Sequence, residues 1–190
     1  MRADRLSVAP LAVWIFCVAL AGCRAAAPEA WTKPNAPPMN RVAVLPFENQ
    51  TTTPRAGSVA SELVVAELVG AGASVLEPTE ALDLLRRDNI DPADAAKLPS
   101  AQRLGRILQV SHVLQGSVVE YRFKPGFYET PVVGVTARVV EVASGEIVWT
   151  GSYARSGSTW FREDGLALVT QGIARDMVAN LTSTLGSRGR

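Results

Sequence analysis

The chain has 190 residues, of which 47% are hydrophobic and 19% charged, and its formal net charge is +1. That length suits one domain with a real core, and the apolar content excludes a disordered chain. The charge balance excludes a binder working by phosphate neutralisation, so no nucleic-acid partner is expected. One histidine and two cysteines leave no ligand set for a zinc cluster or an iron–sulfur centre, and no metal or cofactor is expected.

The N-terminus reads as an address. Arg2 and Arg5 form a short basic region, and Leu11 to Ala21 is an uncharged apolar run too short to span a bilayer. It ends in Leu20-Ala21-Gly22-Cys23, which resembles the bacterial lipoprotein box. Residues 1–22 are therefore expected to be a lipoprotein signal peptide and Cys23 the lipidated first residue of the mature chain. Cleavage removes Cys17 together with Arg2, Asp4 and Arg5, which leaves a neutral mature chain whose remaining cysteine is acylated. More than one acyl chain anchors stably, at about 0.8 kcal/mol per buried methylene. Arg24 follows Cys23. In the Gram-negative lipoproteins that this box resembles, Asp at that place favours inner-membrane retention. The resemblance thus implies an outer-membrane anchor facing the periplasm.

Residues 23–40 hold Pro28, Pro34, Pro37 and Pro38 and no apolar periodicity. They read as a lipidated cysteine and a proline-rich spacer, reaching roughly 50 Å at about 3.1 Å per residue. Residues 41–185 form the domain. Arg41 to Phe47 is a short apolar run of buried-strand type, closed by Pro46. Ser58 to Ala71 is a helix, with Leu63, Ala66 and Val69 expected inward beside Val59 and with Gly70 and Gly72 as stop signals. Ser74 to Glu77 is a second strand. A helix follows through Ala81, Leu82, Leu84 and Leu85, then a turn at Asp91-Pro92. Pro99-Ser100 opens another helix, with Leu104, Ile107 and Leu108 inward.

The second half is β-rich over 112–123, 131–143 and 146–155, with a tight turn at Ser144-Gly145. Gly165 to Leu185 is an amphipathic helix with Leu166, Val169, Ile173, Met177 and Leu181 on one stripe. The predicted order is β-α-β-α-α-β-β-β-α: α/β, a single domain with a mixed sheet and helices packed on it.

Three segments in order carry a resemblance: Val42-Ala-Val-Leu-Pro-Phe-Glu-Asn49, Leu104 to Val118 with its Gln115-Gly116-Ser117-Val118, and Val135 to Gly151 with Ser144-Gly145-Glu146-Ile147-Val148-Trp149. Together they resemble the CsgG-type (curli production assembly/transport) lipoprotein family, a broad group that includes the penicillin-binding-protein activator LpoB. The resemblance covers roughly residues 41–183. It implies a non-enzymatic outer-membrane lipoprotein whose periplasmic domain binds proteins in envelope assembly, secretion or peptidoglycan-synthase regulation, or forms a homo-oligomer. The alternative it implies is a subunit of an oligomeric curli-type secretion channel. Such channels insert two membrane-spanning hairpins, with strands of about 9–11 residues, and the loops here leave no room for them. The spacer is also short for reaching an inner-membrane synthase.

No catalytic set emerges. His112 stands just before a buried strand and reads as structural, and no Gly-x-Ser-x-Gly elbow is present. Gly70-Ala71-Gly72 follows a helix, which makes it a helix stop instead of a phosphate loop. Asp83, Asp88, Asp91 and Asp94 lack the spacing of a calcium loop. Trp149 reads as core. Aromatics in glycine- and serine-rich stretches are harder to place in a core, so Phe127, Tyr128, Trp160 and Phe161 are the candidate partner-binding residues.

Overall fold

The structure, a computed structural model, describes residues 29–90, 101–127, 129–157 and 165–186. Cys23, the signal segment, the Asp91-Pro92 turn, Pro99-Ser100, Tyr128, Trp160 and Phe161 lie outside the described residues.

The central strands are the most apolar ones. In β2 (Arg41–Val44) residues Val42, Ala43 and Val44 are fully buried. Both their faces are covered, as the continuous apolar run requires. β2 pairs in parallel with β4 (Ser74–Leu76) on one side and with β5 (His112–Lys124) on the other. A two-residue β3 (Glu48–Asn49) continues alongside β5 after Pro46. β5, β6 (Thr130–Glu141) and β7 (Ile147–Ser156) form an antiparallel meander. Its second turn is closed by Gly145 at φ 75°, a left-handed geometry that glycine adopts without strain. The sheet order is β1-β7-β6-β5-β2-β4.

β1 (Glu29–Thr32) lies in the stretch expected to be a spacer, and it pairs antiparallel with the edge of β7. The chain then turns at Asn35, φ 58°, and buries Met39, whose N–H donates to the Leu185 carbonyl over 2.7 Å. Residues 29–40 therefore belong to the folded body. Prolines signalled an extended chain; they did not signal that the open edge of β7 would capture it. Lys33 adds an ion pair with Glu146.

Four helices are described: α1 (Ala56–Gly70), α2 (Pro78–Arg87), α3 (Ala101–Leu108) and α4 (Leu166–Leu185). α1 and α4 cover one face of the sheet and share a core with Val44, Leu114, Val118, Val135, Val139 and Trp149. α2 and α3 cover the β2–β4 half of the other face around Ala43, Leu45 and Val113.

α1 ends as its glycines predicted. Gly72 at φ 79° turns the chain so that its own N–H reaches the Val69 carbonyl and the Ala73 N–H reaches that of Leu68, the Schellman pattern. Its inward face differs from expectation. The buried residues are Ala56, Gly57, Ala60, Ser61, Val64, Val65 and Leu68, while Ala66 is exposed and Val69 is 55% exposed. The helix is apolar on nearly every side, and close approach selects its small residues. A Cβ on Gly57 would stand 2.1 Å from the Phe47 carbonyl oxygen.

Candidate interaction surfaces

Among the described residues, serine and histidine meet at Ser111 and His112. Ser111 Oγ donates to the Arg41 carbonyl at 2.8 Å and accepts from the Arg41 N–H at 3.0 Å. With its hydroxyl proton committed, its 3.0 Å contact to His112 Nδ1 assigns the imidazole proton to Nδ1. Nε2 is then a bare acceptor, buried without a hydrogen-bond partner, in a side chain 1% exposed. Burial pushes the His112 pKa down, opposed by the cross-strand carboxylate of Glu141. Through Ser111 this pair fastens β2 to the start of β5. Among the described residues no group of His, Cys, Asp or Glu could hold a metal.

Three surfaces remain. The first is the tip of the β5–β6 hairpin. The two strands stay paired out to Lys124 and Thr130, beyond the stretch of β5 that β2 and β3 accompany. Phe123 is 45% exposed and Phe127 is 94% exposed, at a turn through Pro125 and Gly126. Arg122 pairs with Glu120 at 2.7 Å. The structure thus places Phe127 on the surface; the other three candidate aromatics lie outside the described residues.

The second is the half of the sheet opposite α4 that no described helix covers. Cross-strand register aligns Trp31, Thr150, Arg138 and Gln115 in one row across four strands. Arg138 Nε donates to Gln115 Oε1 at 3.0 Å, and Trp31 is half exposed at the row's end. Beside it Glu48, Ser117 and Thr136 line a shallow hollow of about 320 Å³. Trp31 was hidden from sequence reasoning because its segment read as spacer.

The third is a groove of about 590 Å³ between α1 and the start of α2. Pro46, Val65, Ala66, Val69 and Leu82 give it an apolar lining, and Glu62 and Glu77 stand on its rim. It forms where α1 turns Ala60, Val64 and Leu68 to the core and leaves Ala66 and Val69 outside. The signal available in the sequence was the second apolar stripe of α1.

The mixed sheet, covered on one face by α1 and α4 and on part of the other by α2 and α3, is an arrangement that solved structures share. No family model and no curated protein matches the sequence. The chain is similar to the PelC dodecamer from Paraburkholderia phytofirmans, with 26% identity and a TM-score of 0.60, over 85% of this chain and 99% of that one. It has the fold of the lipoprotein GNA1162 from Neisseria meningitidis, at 23% identity and TM-score 0.56, over 74% of this chain and 98% of that one. It also has that of the LpoB C-terminal domain from Escherichia coli, at 18% identity and TM-score 0.50, over 66% and 88%. The fold is thus that of LpoB-like lipoprotein domains. The curli-export side of the sequence resemblance has no counterpart in these likenesses.

Proposed function

We propose that the chain is a lipid-anchored, non-enzymatic subunit of an envelope assembly or export apparatus, held on the periplasmic face of the outer membrane and working as a homo-oligomer. The observation that carries this reading is the similarity to a dodecamer along 99% of that chain's length. The lipoprotein box at Cys23 supplies the anchor, and an outer-membrane site follows from Arg24 as argued above.

The captured β1 supports the same reading by distance. Only six residues lead from Cys23 to Glu29, the first residue of β1. They span at most about 20 Å fully extended, against the roughly 50 Å of an unattached spacer. A domain held that close to its lipid anchor acts at the membrane surface. This argues against the synthase-regulator role, which needs a long reach. A curli-type channel finds no support among the described residues, where every named strand belongs to one sheet and the longest hairpin, β5–β6, lies at its centre.

Light scattering of the full lipidated chain in mild detergent tests the proposal. A single species of many subunits is expected. A monomer at micromolar concentration would remove the oligomeric reading, and a Cys23→Ala variant that is still processed and acylated would remove the anchor.

A further inference from the structure

Resting on the homo-oligomer reading, we propose that the β5–β6 hairpin tip of one copy docks into the α1–α2 groove of the next. A head-to-tail interface, in which two different patches of the same chain fit each other, joins many copies into one closed assembly. This chain carries such a pair. The tip presents Phe123 and Phe127 with Lys124 between them. The groove offers an apolar floor of Val65, Ala66, Val69 and Leu82 under the carboxylates of Glu62 and Glu77. Apolar surface meets apolar surface, and a cation meets an acidic rim.

The tip cannot fill the groove of its own chain. Val44 pairs with Leu114 close to the groove's Pro46, and β5 continues about ten residues further to Lys124. At ~3.3 Å per residue the tip stands roughly 30 Å beyond the groove along the strand. It is held there by cross-strand pairing with Thr130 to Gly134. A second copy is the occupant that brings both patches together without remodelling the sheet. The acidic rim also disfavours a lipid surface as the groove's partner, since anionic headgroups would meet Glu62 and Glu77.

Cysteine pairing tests the contact in the full lipidated chain, where Cys23 is blocked and oxidised wild type serves as the control. Ala66→Cys with Phe127→Cys in one chain should give a ladder of covalent multimers on oxidation. Mixing the two single variants should give dimers and nothing larger. Phe127→Cys alone should stay monomeric on the gel. Lys124→Glu should shrink the assembly, and Glu62→Lys with Glu77→Lys should restore it. An assembly of unchanged size in which the double variant does not crosslink overturns the interface and leaves the oligomer standing. Ready crosslinking of Phe127→Cys alone would place tip against tip and also overturn it. So would quenching of a fluorophore on Phe127→Cys by brominated lipids, which would place the tip in the bilayer. A monomeric wild type removes the oligomer and the interface together.

Discussion

The Trp149 indole N–H donates to Asn180 Oδ1 over 2.9 Å, joining the penultimate element of the fold to the last. Trp149 is fully buried, so its N–H needs an acceptor within the protein. Asn180 lies off the centre of the α4 apolar stripe because it is that acceptor. Asp176, one turn earlier on α4, pairs with Arg155 of β7 and extends the same seam. Trp149→Phe should lower stability by about 1–2 kcal/mol through the stranded Asn180 carbonyl and lost packing. Trp149→Ala should cost about 3–5 kcal/mol. Denaturant titration of both variants checks the ranking.

Tyr153, four residues along β7 from Trp149, buries a hydroxyl that has no hydrogen-bond partner among the described residues. Burial, reinforced by the Asp176 charge, holds its pKa above the usual phenol value. Removing a buried hydroxyl that makes no bond removes a desolvation cost. Tyr153→Phe should therefore leave the thermal midpoint unchanged or raise it. A drop of several degrees would reveal a bond the geometry does not contain.

The resemblance motifs can now be read as packing. Gly116 faces the Phe47 ring, and a Cβ there would lie 2.6 Å from it. Gly151 lies between Trp149 and Tyr153, with 2.7 Å to each ring for an added Cβ. Gly116 of the second segment and Gly151 of the third are thus spaces for aromatic rings. Gly116→Val should destabilise by about 1–3 kcal/mol through overpacking, read as a lowered midpoint in urea.

His112 makes stability depend on pH. Its folded pKa lies below the unfolded value of 6.5. Between those two values the unfolded chain binds more protons than the folded one, so stability rises with pH. It should be fully present above about pH 6.5, fall as the pH drops below that, and level off beneath the folded pKa. His112→Gln should flatten this part of the profile, as measured by urea midpoints across the range.

Phe127 is almost wholly exposed, so its ring contributes little to the core. Measured where the chain is monomeric, Phe127→Ala should unfold within about 0.5 kcal/mol of wild type. A loss of 3–5 kcal/mol, the range for a core aromatic, would contradict the placement of this ring on the surface.

Most of the architecture was legible in the sequence because strand and helix periods were strong. β5, β6, β7, α3 and α4 lie within a few residues of their predicted ranges. Two features were hidden for identifiable reasons. β1 is captured by the β7 edge, a tertiary event that a proline-rich composition masks. The inward face of α1 differs from expectation because the helix carries two apolar stripes, and the one that holds Gly57, Val64 and Leu68 packs on the sheet, with Gly57 close against Phe47. The exposure of Phe127 follows from its place in a glycine-containing turn, whereas Trp31 and the α1–α2 groove depend on those two features.

The proposed function joins an acyl anchor at Cys23 to an assembly of like subunits held close to the membrane. Native mass spectrometry of the full chain released from detergent micelles tests both parts at once. A single assembly of many copies is expected, each subunit starting at Cys23 and carrying the added mass of its acyl chains. A spectrum of unassembled monomers, or of subunits without acyl mass, would contradict it.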